Sequence, residues 1–269
     1  MRSKPLTLSL ALLLGACAQV PRGESGAQVA SAPPTLEVEA TPVVPETRFV
    51  ELIPGVTLEL VRVEEIGAWI GRTEVTWDQF LPYCAFDRLE TGTEVDGIAR
   101  PSKPLETHPY DRGWGEGEQP AVGMSWNSAR LYCQWLTLQT GGSFRLPTET
   151  EWRAACGEAP VDVTEQAWTW ADQRSGTAAV GLKQPNEFGL HDMLGNLTEY
   201  VAAEDGSEPF PLATLGGSFM TPIDRVGPDA RLDFDPDWTL ADSNWPPGRW
   251  WIPGGYQLGF RVLCEELPR

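Results

Sequence analysis

Short runs of apolar and β-branched residues, interrupted by Gly and Pro, dominate the pattern of the chain. Two such runs, Val56–Val63 and Ala68–Thr76, predict β-strands in its first third. A third run, Leu258–Cys264, predicts a strand close to the last residues. Runs this short and this far apart indicate small, irregular sheets and not one large sheet.

Three other segments carry apolar residues at helical spacing behind a capping residue. Thr76 with Gln79, and Thr148 with Glu151, have the spacing of a capping box. Ser125 is the expected start of a further helix, which Gly141-Gly142 stops. The predicted inner faces of these last two helices are Ala129, Tyr132, Cys133 and Leu136 after Ser125, and Trp152, Ala155 and Cys156 after Thr148. Together with 27 Gly, 24 Pro and 12 Trp residues, this pattern predicts an α+β fold of three short helices around small irregular sheets, with much loop.

The first residues have the anatomy of a secretory signal. Arg2 and Lys4 form a basic region, and the apolar run Leu6–Leu14 is too short to span a membrane. The Leu-Gly-Ala-Cys sequence that follows resembles a bacterial lipobox, so residues 1–17 are expected to form a lipoprotein signal peptide ending at Cys17, the lipidated residue. The alternative is a soluble secreted protein in which Cys17 occurs by chance.

Composition and charge then indicate which residues fold and which partners are not expected. Residues 18–47 are rich in Ala, Pro, Ser, Val and Glu, which is typical of a disordered tether, and they leave 48–269 as the folded domain. The chain has 38 acidic and 20 basic residues, a net charge of −18, so nucleic acid is not an expected partner. A lipid on Cys17 would hold the chain at the cell envelope. Ala18 resembles the signal for an outer-membrane lipoprotein, which could face the periplasm or the cell surface.

One stretch brings two acids to a tight turn. In NEFGLHDMLGNLTEY (186–200), Asp192 and Glu199 flank Gly195-Asn196 with apolar residues between them. Like charges brought close in a packed segment are unfavourable unless something compensates them. The turn is therefore either plain surface with two solvated acids, or a place where carboxylates and turn carbonyls hold a ligand.

Six motifs along the chain are informative because they occur together and in a particular order. They are WIGRTEVT (69–76), PAVGMSWNSARLYCQWL (120–136), RLPTETEW (145–152), NEFGLHDMLGNLTEY (186–200), LGGSF (215–219) and LGFRV (258–262). Together they resemble the formylglycine-generating enzyme family, also called the sulfatase-modifying factor family. The resemblance implies a variant of the C-type-lectin-like fold.

Oxygen-using members of that family bind copper(I) through two cysteines that follow the Gly-Gly-Ser-aromatic motif. In this chain Thr221 occupies the first cysteine position and Val226 the second. Neither supplies a soft thiolate, so no copper and no catalytic residue are expected. Met220 is expected to fill core. His108 and His191 are expected to pack or to face solvent, since relatives that hold iron do so through several histidines on a separate domain.

The resemblance also implies a structural calcium site at the two-acid turn. Matched residue by residue, its ligands would be the Asp192 side chain, the Gly195 and Leu197 carbonyls and the Glu199 carboxylate. Calcium takes about six to eight oxygen ligands, and carboxylates, turn carbonyls and water provide them. A second calcium site of the family is expected to be lost. The acidic DFDPDW stretch (233–238) lacks the Gly and Glu of an EF-hand loop and is expected to be solvated.

Four cysteines remain after Cys17: Cys84, Cys133, Cys156 and Cys264. An even number in an exported chain is typical of two disulfides, and four free thiols are the alternative. Relatives that carry disulfides link the helix of Cys133 to the strand of Cys264. The resemblance therefore implies Cys133–Cys264, which leaves Cys84–Cys156.

Without redox cysteines, the expected function is non-catalytic: binding, or assembly of an envelope complex, by a membrane-tethered domain. The candidate cleft consists of Gly216, Gly217, Ser218 and Thr221, with a Trp-rich loop that contains Trp245, Trp250 and Trp251. The expected ligand is a protein, peptide or glycan. The alternative is an enzyme of the same family that modifies a peptide or small molecule with non-cysteine residues in the same cleft.

Overall fold

Among the residues that the structure describes, the larger of two sheets has five antiparallel strands. The computed structural model describes residues 45–85, 113–205, 214–232, 235 and 255–268. In sheet order the strands are β1 (Thr47–Ile53), β2 (Val56–Val63), β3 (Ala68–Gly71), β8 (Leu263–Glu266) and β4 (Ser143–Arg145). The predicted strand Val56–Val63 is confirmed with the same bounds, whereas the sequence pattern missed β1.

The predicted strand Ala68–Thr76 is too long, since β3 ends at Gly71. The Gly71 N–H donates to the Val262 carbonyl at 2.8 Å, and the Val75 N–H donates to the Phe260 carbonyl at 2.9 Å. Between these two bonds the chain leaves the sheet. This departure sends the side chain of Glu74 into the interior, where it is fully buried.

The smaller sheet has β5 (Thr198–Tyr200) at its centre, antiparallel to β6 (Thr214–Leu215) and parallel to β7 (Leu258–Gly259). The predicted single strand Leu258–Cys264 is therefore wrong. It is two strands, β7 and β8, in different sheets, because the carbonyls of residues 260 and 262 bond to the 71–75 segment between them. Arg261 lies at this crossing and is fully buried.

Three α-helices begin where their capping residues predict. They are α1 (Trp77–Ala85), α2 (Trp126–Thr140) and α3 (Glu149–Cys156). The Ser125 side chain accepts the Ser128 N–H at the start of α2, and Gly141 ends that helix with φ 79°. Thr148 and Glu151 form the predicted capping box of α3.

The buried side chains of the described ranges form two clusters. One surrounds α1 and α2 and is aromatic: Phe80 contacts Tyr132 at 5.5 Å and Phe260 at 6.0 Å between ring centroids. The other lies against α3 and includes Trp152 and Leu190. The predicted inner faces of α2 and α3 are buried. The α+β fold of three short helices around small sheets, with much loop, is confirmed.

In the part of the chain that the structure describes, no helix is long and apolar enough to cross a membrane. The signal peptide, Cys17, most of the tether, His108, most of the DFDPDW stretch and the loop with Trp245, Trp250 and Trp251 lie outside the described residues.

Candidate functional site

The two-acid turn is buried, not surface. Asp192 is 2% exposed, and Asn196 and Glu199 are fully buried. Gly195 has φ 75°, and a Cβ on it would lie 2.2 Å from the Trp168 carbonyl oxygen, so the position accepts glycine alone. Asn196 follows at φ 52°. The interpretation of this turn as plain surface with solvated acids is therefore wrong.

Glu199 belongs to a buried ion pair. Its Oε1 lies 2.5 Å from Arg261 Nη2, and its Oε2 accepts from Arg261 Nε at 2.7 Å and from Trp152 Nε1 at 2.8 Å. Arg261 also donates to the carbonyls of Gly71 and His191. The bidentate geometry fixes the guanidinium plane between the two sheets.

Glu74 belongs to the same buried cluster, and sequence reasoning missed it. Its Oε1 accepts the Leu197 N–H at 2.9 Å, and its Oε2 accepts Asn196 Nδ2 at 2.7 Å. Burial, followed by the nearby charges of Asp192 and Glu199, raises the pKa of Glu74 well above its ordinary value. An acid within the predicted strand Ala68–Thr76 is a signal that could have pointed to it.

Asp192 has one satisfied and one unsatisfied oxygen. Its Oδ2 accepts the Gly181 N–H at 2.7 Å. Its Oδ1 is buried without a hydrogen-bond partner among the described residues. Burial raises the pKa of Asp192 to about 6. Three carboxylates therefore share one buried guanidinium, an arrangement that favours uptake of a proton or a cation.

The four predicted calcium ligands lie together in this buried segment, and their chemistry fits a hard cation. The orphaned Asp192 Oδ1 is a ready oxygen ligand, and Glu199 Oε1 accepts one bond from Arg261 and has a second lone pair. Within the described ranges, no three His, Cys, Asp or Glu side chains are grouped as a metal site. An ion at this turn would therefore depend on main-chain carbonyls and water as well as side chains.

His191 precedes this cluster and packs as expected. Its Nδ1 donates to the Lys183 carbonyl at 2.8 Å. Partial burial lowers the pKa of His191. The Asn196 side chain, which follows in the same turn, is buried and donates to Glu74 and to the Ala178 carbonyl.

The candidate cleft residues Gly216, Gly217, Ser218 and Thr221 form a tight turn beside the acids. A Cβ on Gly216 would lie 2.6 Å from the Met193 carbonyl oxygen, and one on Gly217 would lie 3.3 Å from both Thr221 and Val226. Thr221 Oγ1 accepts the Ser218 N–H at 2.9 Å. The two positions at which the family places its cysteines thus both lie against Gly217, and they hold a hydroxyl and a hydrocarbon.

Four exposed apolar residues belong to this turn or to segments that are bonded to it or follow it; we call them the apolar rim. Its members and their exposed fractions are Trp170 (62%), Met220 (42%), Ile223 (37%) and Tyr256 (43%). The Trp170 N–H donates to the Thr221 carbonyl at 3.0 Å, and the Ser218 hydroxyl donates to the side chain of Gln257, next to Tyr256, at 2.9 Å. The prediction that Met220 fills core is wrong, because its position in the turn directs it outward.

A cavity of about 430 Å³ lies against the loop that follows Trp170. Its lining residues are Gly113, Trp114, Gln173, Arg174, Ser175, Gly176 and Thr177. The Trp114 ring contacts Phe219 edge to face at 5.4 Å, which connects the cavity to the candidate cleft. Arg174 donates to the Thr177 carbonyl and stacks over Trp168 at 5.1 Å.

All four described cysteines are free thiols in this structure, so neither expected bridge is formed. Cys133 and Cys264 lie in the same core cluster, whereas Cys84 packs against that cluster and Cys156 lies in the other. The Cys133–Cys264 bridge stays a prediction for non-reducing peptide mapping. The placement of Cys84 and Cys156 against different clusters does not favour their pairing.

Comparisons with known proteins place these features in a family. The Sulfatase-modifying factor enzyme 1-like domain matches residues 61–242. The chain is 30% identical over 195 residues to the formylglycine-generating enzyme of Bos taurus, which covers 56% of this chain and 45% of that enzyme. It is 31% identical over 124 residues to the inactive C-alpha-formylglycine-generating enzyme 2 of Bos taurus, which covers 38% of each. The chain thus spans less than half the length of these relatives.

Two solved structures share the fold. Treponema denticola variable protein 1 has a TM-score of 0.55 at 18% identity and covers 83% of this chain and 99% of its own. PvdO from Pseudomonas aeruginosa has a TM-score of 0.52 at 22% identity and covers 83% of this chain and 92% of its own. The family match spans more than half of the chain and includes Glu74, the two-acid turn and the cleft. The chain therefore belongs to the Sulfatase-modifying factor enzyme 1-like domain family.

Proposed function

We propose that this chain is a non-catalytic member of its family, an exported lipoprotein whose domain binds a partner at the cell envelope. The observation that carries the proposal is the pair Thr221 and Val226, which both lie against Gly217 in place of two cysteines. A hydroxyl and a hydrocarbon neither bind copper(I) nor exchange electrons. A relative from Bos taurus is named an inactive enzyme, so loss of activity has a precedent in the family.

The apolar rim supports a binding role. Its four side chains are exposed on loops hydrogen-bonded to, or adjoining, the Ser218–Thr221 turn. Aromatic and other apolar side chains grouped on a surface are typical of interaction sites, and Trp and Tyr are favoured at the centres of interfaces. The proposed ligand is a protein, peptide or glycan that covers this rim.

Formylglycine production tests the non-catalytic proposal. The purified full-length chain would be incubated with a cysteine-containing sulfatase peptide, copper and oxygen, beside an active family member, and the peptide analysed by mass spectrometry. No formylglycine is expected from this chain. Any product would overturn the proposal and favour the alternative, an enzyme that uses other residues in the same cleft.

A double variant, Thr221→Cys/Val226→Cys, provides the matched control for copper. Because both side chains lie against Gly217 and two thiolates suit copper(I), the variant is expected to bind copper(I) while the native chain does not. Copper(I) binding by the native chain would count against the proposal.

Substitution in the rim tests the binding surface. Trp170→Ser and Tyr256→Ser are expected to lose retention on an array of envelope peptides and glycans. Leu138→Ser is the control, because Leu138 is 72% exposed on α2, outside the rim. Equal retention of all three variants would remove the rim from the proposal.

We further propose that Asp192, Gly195, Leu197 and Glu199 hold a structural calcium ion. The orphaned Asp192 Oδ1 and the excess of buried carboxylates support it. At free calcium 100-fold above the dissociation constant, the gain in stability would be about 2.7 kcal/mol. Thermal unfolding with calcium and with a chelator tests this. An unchanged midpoint, with no metal in elemental analysis of the unchelated protein, would remove the ion.

A further inference from the structure

Glu74 holds the Gly195–Leu197 turn from a distant part of the chain. Its two oxygens accept bonds from the Leu197 N–H and the Asn196 amide, 123 and 122 residues away in sequence. The carboxylate is fully buried. A buried carboxylate is costly unless hydrogen bonds compensate it, so an acid at this position is not explained by packing.

The bonds made by Glu74 fix one peptide plane of the turn. The Asn196–Leu197 peptide donates its N–H to Glu74 and accepts the Phe219 N–H at its carbonyl, at 2.8 Å. The Asn196 side chain is held too, since it donates to the Ala178 carbonyl at 3.2 Å and accepts the Ala178 N–H at 2.9 Å. A peptide fixed at both ends sets the directions of the peptides on either side.

Those neighbouring peptides carry the carbonyls of Gly195 and Leu197, which are two of the proposed calcium ligands. We infer that Glu74 is a positioning residue for the calcium site: it orients these carbonyls without binding the ion itself. The inference rests on the proposed calcium site. It adds a residue that lies outside the predicted ligand set and contacts it through the backbone.

Terbium(III), a hard ion that takes oxygen ligands as calcium does, is a suitable probe. Trp152 donates its indole N–H to Glu199, so an indole lies at the site and can sensitise terbium luminescence. The full-length chain in detergent would be titrated with terbium and the signal competed with calcium. The native chain is expected to give a calcium-sensitive signal.

Two variants and a control distinguish a positioning role of Glu74 from an effect of its charge on ion affinity. Glu74→Gln removes an acceptor oxygen and the ability to ionise, whereas Glu74→Asp keeps an ionisable carboxyl group but shortens the side chain, so that it no longer reaches the Leu197 N–H and the Asn196 amide together. Each is expected to weaken terbium and calcium affinity about 10- to 100-fold, as loss of residues behind metal ligands does. Glu204→Gln, which loses a carboxylate that accepts the Thr150 N–H elsewhere, is expected to leave affinity unchanged.

The outcomes are distinguishable. No calcium-competed signal from the native chain would end the calcium proposal and this inference with it. A native signal that both variants preserve would overturn the positioning role alone. Weakening by Glu74→Gln without weakening by Glu74→Asp would assign the effect to charge and also overturn it. Should Glu74→Gln fail to fold, Glu74→Asp alone decides.

Discussion

At the scale of single residues, the chain places a strongly polar group where its two sheets meet. Arg261 is fully buried and bonds at once to Glu199 and to the carbonyls of Gly71 and His191. Isolated charges in a protein interior cost several kcal/mol each, so such a group is retained only with excellent pairing. Arg261 therefore joins the 71–75 segment, the turn and the closing segment as one unit.

Removal of the Arg261 guanidinium is expected to destabilise the fold strongly. Arg261→Met would leave Glu199 buried without its cation and reduce the free energy of unfolding by about 3–5 kcal/mol, measured by urea unfolding. Arg72→Met is the matched control, because its ion pair with Glu59 is partly solvated and should cost under about 1 kcal/mol. Equal losses from both variants would contradict the special role of Arg261.

Gly195 is expected to tolerate no side chain. Gly195→Ala brings a Cβ to 2.2 Å from the Trp168 carbonyl at a φ of 75°, and should reduce the free energy of unfolding by at least about 2 kcal/mol. Urea unfolding would measure the loss. Gly227→Ala is the control, because a Cβ there meets no atom within 4 Å, and its effect should stay within about 0.5 kcal/mol. Comparable stability of the two variants would refute the steric argument.

The sequence predicted part of this site and missed the rest for a physical reason. Asp192 and Glu199 lie seven residues apart around a Gly-Asn turn, so their proximity is a local signal. Glu74 and Arg261 bond to the same segment from 122 and 62 residues away in sequence, and no local pattern reports contacts of that range. The prediction that Met220 fills the core fails because the apolar character of a residue does not determine whether its side chain points into the core or into solvent from an irregular turn.

At the scale of elements, helix ends were predictable and strand ends were not. Thr148 and Glu151 form their capping box with side chains three residues apart, so the sequence contains both partners. β3 ends at Gly71 and the closing strand divides in two because of bonds between residues 71–75 and 260–262. Strand limits depend on such distant partners, whereas a cap is a local interaction.

The capping box of α3 leads to a pH-dependent prediction. Burial alone would raise the pKa of Glu151, but bonds from Arg145 and the Thr148 N–H outweigh burial, and the net pKa is lowered. Its stabilisation is thus present above the unfolded-state pKa of about 4.3 and is lost as pH falls through the folded-state pKa.

Glu151→Gln should accordingly cost about 1 kcal/mol at pH 7, and the difference from the native chain should close well below pH 4.3. Urea unfolding of both proteins at pH 7 and at pH 3 measures this difference. A penalty that is the same at both pH values would show that the charge of Glu151 does not contribute.

At the scale of the whole molecule, the large negative net charge affects how the chain could be held at a membrane. A net charge of −18 repels anionic lipid head groups, so the protein surface gives the chain no electrostatic hold on a membrane. Acyl chains contribute about 0.8 kcal/mol for each buried CH₂ group, and a lipid on Cys17 would supply the attachment by this route. The two modes of attachment respond differently to salt, which screens charge but not hydrophobic burial.

Substitution of Cys17 tests the anchor directly. The native chain is expected to incorporate radiolabelled palmitate, to sediment with membranes and to stay there through a high-salt wash, because its hold is hydrophobic. Cys17→Ser should lose the label and appear in the soluble fraction, while Cys84→Ser, which changes a cysteine of the folded domain, should keep both label and membrane association. If Cys17→Ser sediments as fully as the native chain, the lipid anchor is excluded, and release of the native chain by salt alone would point to a charge-dependent partner instead.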